Sequence, residues 1–351
     1  MKRFKQLLVV AITAQLTSSF NVFAQAVDVP QTAYKIVAQL PVIGTGKWDY
    51  LALDAKRNHL FISRSSHVQV INPQTGDLLG DIPNTAGVHG IAIDMEDNLG
   101  FTSNGKAGTV TVFNLDDFKT LATVKTSGAD PDAILYYPEL KQVYTFNGDG
   151  KNISVIDAVT YKLIHTIKVG ATPEFGVSDH HGHIFFNIED KSEIGVIDTA
   201  TATLTHRWAL PACDGPTGLA LDDDSHRLFS TCQNKHLSVL DSESGQHITD
   251  VSIGTHPDGV IFDPDNKLVI VSNGGGTLTF INQNTPDSYT VTSNLATRKG
   301  ARTMAYDPKT KRVYLMGKNN LGAHGGQKYS MNQSVSARSP GVTLIVAAPQ
   351  N

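Results

Sequence analysis

The chain repeats itself about every 42 residues, and each repeat carries a strand that closes on the same five-letter pattern. The copies read Val68-Gln69-Val70-Ile71-Asn72, Val110-Thr111-Val112-Phe113-Asn114, Ile153-Ser154-Val155-Ile156-Asp157, Ile194-Gly195-Val196-Ile197-Asp198, Leu237-Ser238-Val239-Leu240-Asp241 and Leu278-Thr279-Phe280-Ile281-Asn282. Subtracting successive final positions gives 42, 43, 41, 43 and 41. A period of this length, built from alternating strands without a helical stripe, predicts an all-β fold of four-stranded propeller blades.

Within a repeat the order is constant: a leading turn, an inner strand, an Asp-rich turn, a second strand, a loop, the patterned third strand, a tight turn and an outer strand. Gly259-Val260-Ile261-Phe262, the turn Asp263-Pro264-Asp265-Asn266, and Leu268-Val269-Ile270-Val271 show the first half of it. Pro, Asp, Asn and Gly stand where turn geometry favours them. Inner strands are expected to start near Trp48, His89, Asp132, Glu174, Thr217, Asp258 and Arg302, which makes seven blades. The seventh has its third strand at Val342-Thr343-Leu344-Ile345-Val346 but no room for a fourth before Asn351. Tyr34-Lys35-Ile36-Val37 resembles the outer strand Tyr161-Lys162-Leu163-Ile164, so the N-terminal segment is expected to complete the last blade and leave no open edge.

Residues 1–24 read as a secretory signal peptide: basic Lys2, Arg3 and Lys5, an apolar stretch from Leu7 to Ala14 too short to span a bilayer, and small residues at Val22-Phe23-Ala24 or Ala24-Gln25-Ala26 for cleavage. Residues 27–351 are expected to form a single propeller domain, a monomer exported to a periplasm or secreted, with no membrane span. Removing the three leader cations takes the formal net charge from −4 to −7, and this acidic balance argues against a nucleic-acid partner. Cys213 and Cys232 fall on the same side of the fifth blade, on antiparallel neighbours, and export favours a disulfide between them over a thiolate metal site.

The repeat pattern, with Leu99-Gly100-Phe101-Thr102-Ser103-Asn104 and Leu268-Val269-Ile270-Val271-Ser272-Asn273, resembles the YVTN-type propeller repeats of the YncE-like exported bacterial proteins over nearly the whole mature chain. The resemblance implies a seven-bladed propeller outside the cytoplasm. It implies little about activity, because such relatives include ligand-binding, DNA-binding, surface-layer and lactonase-like proteins.

Aligning the repeats puts one residue per blade at the channel mouth: Asp49, His89, Asp132, Glu174, Thr217, Asp258 and Arg302. Loops leaving the second strands add Arg64, Asn104, Asn147, Asn187, Gln233, Asn273 and Lys318 on the same face. The Asn positions have a structural reading too, since Asn ends strands by tolerating unusual backbone angles. The first ring is harder to explain so, because four carboxylates facing one channel repel one another unless a cation compensates. Arg302, protonated His89, a metal or a ligand can supply it.

Asp49, Asp132, Glu174 and Asp258 suit calcium, magnesium or manganese, and His89 admits zinc or copper. Such a site would be analogous to the divalent-metal centre of gluconolactonase-type propellers. A metal-free enzyme would use Glu174 or His89 as general base and Arg302 to hold an anionic group. A binding protein would use the same groups, with Arg302 and Arg64 gripping a carboxylate.

Residues 317–340 interrupt the seventh blade with roughly 20 residues rich in Gly, Asn and Ser, which read either as a lid or as a tolerated insertion. Tyr329, Met331, His324 and Arg338 are its candidate anchors. His180-His181-Gly182-His183 maps to the turn on the opposite face and reads as an exposed turn. Glu189 and Asp190 are second-choice site residues, and Trp48 and Trp208 read as packing. The first functional reading is an exported binding protein that takes a small polar molecule, metal ion or protein partner at the mouth; the alternative is a metal-dependent lactone or ester hydrolase.

Overall fold

The computed structural model describes residues 33–318 and 342–350. Seven four-stranded antiparallel sheets form the ring of a β-propeller. Blade 1 comprises Leu51–Asp54, His59–Ser63, Val68–Ile71 and Leu78–Ile82, and the inner strands of blades 2 to 7 are Val88–Asp94, Pro131–Tyr137, Pro173–Ser178, Pro216–Asp222, Pro257–Asp263 and Met304–Asp307. Four of these strands open on proline, which cannot donate to a ladder and is tolerated at a strand's first residue.

Blade 7 is completed from the other end of the chain. Tyr34–Val42 pairs antiparallel with Val342–Pro349, from Tyr34 opposite Pro349 to Val42 opposite Val342. Tyr34 also stacks on Phe280 of blade 6 at 4.5 Å, and Arg298 donates to Gln39 at 2.6 Å. The closing strand is thus held by its own ladder and by the neighbouring blade.

The core is a series of apolar layers between sheets. Third strands of the repeated pattern bury their apolar residues fully, as do Phe101, Phe146, Phe186, Phe229 and Phe280. Cys213 and Cys232 form a disulfide with a Cα–Cα separation of 5.2 Å, closing a loop across a sequence separation of 19, a constraint worth about 3 kcal/mol in the chain-entropy view. The leader at 1–24 and nearly all of the 317–340 insertion, including His324, Tyr329, Met331 and Arg338, lie outside the described residues. Among the described residues no helix is long and apolar enough to cross a membrane.

Candidate functional site

Inner-strand pairing is irregular at the channel mouth. In blades 2 to 6 the register shifts immediately after the first strand residue, between Val88/Ile91, Pro131/Ile134, Pro173/Gly176, Pro216/Leu219 and Pro257/Gly259. A bulge of this kind bends the strand and re-aims a side chain. The residue inside it is His89, Asp132, Glu174, Thr217 or Asp258. In blades 1 and 7 the regular strands start later than the alignment expected, at Leu51 and Met304, leaving Asp49 and Arg302 in the leading turns.

Hydroxyls of one blade then anchor the mouth backbone of the next. Ser103 Oγ donates to the Asp132 carbonyl, Ser272 Oγ to that of Arg302, Thr303 Oγ1 to that of Asp49, and Thr217 Oγ1 to Pro257 O at 3.2 Å. Gly218 makes the approach sterically possible, since a Cβ there would sit 2.2 Å from the Asp258 carbonyl oxygen.

The side chains so placed form one electrostatic cluster. Asp49 receives two cations: His89 Nδ1 lies 2.8 Å from its Oδ2, and Arg302 Nη2 donates to its Oδ1 at 2.9 Å. Arg302 Nε also lies 3.2 Å from Asp258 Oδ2, and His89 Nδ1 lies 3.6 Å from Asp132 Oδ1. The hydrogen bond to Asp49, opposed by desolvation and reinforced by Asp132, raises the His89 pKa to about 9. Desolvation, moderated by His89, pushes Asp132 up to about 6; desolvation, moderated by Arg302, pushes Asp258 up to about 7.

Glu174 stands apart. Among the described residues its carboxyl has no hydrogen bond or ion pair, and desolvation followed by repulsion from Asp132, Glu189, Asp258 and Asp49 raises its pKa well above the usual range. Six acids, Asp49, Asp130, Asp132, Glu174, Glu189 and Asp258, therefore share this mouth with two cations.

Four of the residues around the mouth were not candidates from sequence, or only second-choice ones. Asp130, with a positive φ of 55°, places Oδ1 4.0 Å from His89 Nε2; its signal is the doublet of acids flanking Pro131, one of them outside the aligned register. Tyr50 of blade 1 stacks on Phe175 of blade 4 at 5.9 Å, a contact that blades so far apart in the ring make only across the channel. Both rings, with Thr217 and Asp258, line a cavity of about 80 Å³. Glu189, the second-choice acid, is half-buried beside Glu174, whereas Asp190 accepts the Thr172 N–H at 2.9 Å and serves its own turn.

The second set of mouth residues is engaged largely within the protein. Arg64 is 1% exposed and donates to Gln69 Oε1 at 2.6 Å and Gly46 O at 3.2 Å, so its guanidinium is held at the blade edge. Asn104, Asn147, Asn187 and Asn273 are all fully buried. Asn104 and Asn147 donate to Thr111 Oγ1 and Ser154 Oγ, each at 2.9 Å, and Asn273 to Thr279 Oγ1 at 3.0 Å. Asn187 donates to Thr217 O at 2.7 Å and accepts from Ser230 Oγ at 2.9 Å, tying blade 4 to blade 5. The reason is geometric: the strand they end turns their short amides back into the sheet, where unpaired backbone and hydroxyl groups need partners. Trp48 packs between blades 1 and 7, and Trp208 against Phe185.

Three of the mouth groups can approach a common cation. One ligand atom each from Asp49, His89 and Asp132 lies within 4.8 Å of the others. Oxygen donors with one imidazole suit a divalent ion.

The fold and this mouth define the chain as a seven-bladed β-propeller with an acidic central site. No protein-family profile matches it. Pre-mRNA-processing factor 19 of Caenorhabditis elegans is 32% identical over 139 residues, which are 39% of this chain and 26% of that protein. The chain thus spans about a quarter of that relative's length. Kuenenia stuttgartiensis hydrazine synthase superposes with a TM-score of 0.69 at 14% identity, over 78% of this chain and 93% of that one, a likeness of fold alone.

Proposed function

We propose that this protein is an exported propeller of the YVTN, YncE-like kind that captures a small cationic ligand, a divalent metal ion or an ammonium group, at the channel mouth. The observation that carries this reading is Glu174: a carboxyl partly withdrawn from water, facing other acids, with no cation of its own among the described residues. Arg302 and His89 are already engaged by Asp49, Asp132 and Asp258, so the repulsion around Glu174 is not compensated from within. A cation entering beside Glu174 relieves it. The disulfide is compatible with an extracytoplasmic location.

The test is thermal unfolding and calorimetry of chelator-treated protein with calcium, magnesium, manganese, zinc and small primary amines. At least one cation is expected to bind at one equivalent and raise the melting temperature by several degrees. Glu174→Gln and Asp132→Asn should each weaken it at least tenfold. If no cation binds, or both variants bind as well as the parent, the reading is wrong.

The closeness of Asp49, His89 and Asp132 favours a second reading, hydrolysis of a lactone or ester at a divalent metal. A metal would polarise the carbonyl, Glu174 would take a proton from the attacking water, and the acyl C–O bond would break to give a hydroxy acid or an acid and an alcohol. Metal-dependent turnover of a lactone panel, lost in Glu174→Gln while metal is retained, separates this reading from plain binding.

A further inference from the structure

The Asp-rich turns on the face opposite the mouth close the seams between blades with cations. Lys141 of blade 3 reaches Asp97 of blade 2 at 2.6 Å; Lys267 of blade 6 lies 3.7 Å from Asp222 of blade 5; Lys311 of blade 7 reaches Asp263 of blade 6 at 2.8 Å. These lysines share the last turn position and a positive φ of 49°, 47° and 57°. In blade 5 the same position is His226, with φ of 55°, and its ring makes no hydrogen bond or ion pair among the described residues. The 4/5 seam is spanned instead by His181 of blade 4, 3.4 Å from Asp223 of blade 5.

An open cleft of about 500 Å³ lies in this seam. Its apolar side is Phe185, Val196 and Trp208, with the two aromatic rings 6.0 Å apart and 28° from parallel. Gly245 of the blade 5 turn packs on the indole, where a Cβ would fall 2.3 Å from the ring, so this turn helps to fix the Trp208 side chain. The polar side carries four carboxyls, Asp179, Asp198, Asp223 and Glu243, and four histidines, His181, His183, His206 and His226. No lysine or arginine lines it.

We propose that this seam is a second binding site, specific for a small organic cation that carries an aromatic or alkyl group. The volume is that of a small-molecule pocket. The acids without a resident lysine or arginine give the charge preference, and an aromatic wall held in place gives a surface on which a weakly hydrated cation gains from the ring quadrupole. A bare metal ion would leave most of the volume and the aromatic wall unused. This site is independent of the channel mouth and lies on the other face.

The chain has two tryptophans, so Trp48→Phe leaves Trp208 as the sole indole reporter. Fluorescence of this variant is titrated with benzyltrimethylammonium and, separately, with its uncharged carbon isostere and with zinc. The expected result is a saturable change with the cation, at least tenfold weaker with the isostere, and at least tenfold weaker again in Asp198→Asn/Asp223→Asn protein whose melting temperature is unchanged. Glu174→Gln should leave it as it is, which separates this site from the mouth. Equal affinity for the isostere, an unaffected double variant, or a response to zinc with none to the cation would overturn the proposal. If the double variant is unstable, Glu243→Gln on the exposed rim repeats the charge test.

Discussion

His89 Nδ1 lies 2.8 Å from Asp49 Oδ2, and this contact between blades 2 and 1 sets the protonation state of the channel mouth. The bond favours imidazolium, with the pKa raised to about 9. An NMR titration of the His89 ring is expected to give a midpoint near that value. In Asp49→Asn it should fall by more than one unit, because both the hydrogen bond to a charged acceptor and the attraction are weakened. An unshifted midpoint in the variant would mean that Asp49 is not what holds the proton.

Stability should fall as pH rises from about 4 to about 9. Asp132 and Asp258 have folded pKa values of about 6 and about 7, above the ordinary carboxyl near 4. The folded state therefore keeps protons that the unfolded chain releases, and the associated stability is lost as pH climbs through those values. His89 acts with the same sign, from about 6.5 in the unfolded chain to about 9 in the folded one. Chelator-treated protein should melt several degrees higher at pH 5 than at pH 9. Asp258→Asn should flatten the lower half of that slope; a profile rising toward pH 9 would contradict the assignment.

Asn187 tests the structural role of the buried mouth amides. Asn187→Ala leaves the Thr217 and Gly218 carbonyls and the Ser230 hydroxyl without the partners they have at 2.7, 3.1 and 2.9 Å. The loss expected in chemical denaturation is about 2–4 kcal/mol. Cation affinity at the mouth, measured by calorimetry on the folded variant, should change less than threefold; a selective loss of affinity at full stability would restore Asn187 as a ligand.

Removing residues 33–40 should open the ring. The deletion strips most of the strand paired with Val342–Pro349 and the Tyr34–Phe280 stack, exposing a long apolar edge. Size-exclusion chromatography should show unfolded or self-associated material, and a stable monomer with unchanged melting temperature would show that closure does not depend on this strand.

The sequence determined the architecture because its information is periodic. Six copies of one strand pattern at intervals of 41 to 43 residues define the repeating unit, and the likeness of Tyr34-Lys35-Ile36-Val37 to the outer strand Tyr161-Lys162-Leu163-Ile164 calls Tyr34 into the last blade. The ring of Asp49, His89, Asp132, Glu174, Asp258 and Arg302 was legible for the same reason, since equivalent positions in equivalent blades share one radius.

What only the tertiary structure decided is where equivalent positions point and what crosses between blades. Arg64 and the four asparagines share the mouth level with the ring, but their side chains turn into the sheet, while bulges turn His89, Asp132, Glu174 and Asp258 into the channel and leading turns carry Asp49 and Arg302. Whether a bulge forms depends on pairing with the next strand, which no single residue records. The Tyr50–Phe175 stack and the cleft that joins His181, Trp208 and His226 bring together residues from different blades. Their positions follow from the rotation of one blade against the next, and a sequence repeat is silent on that angle.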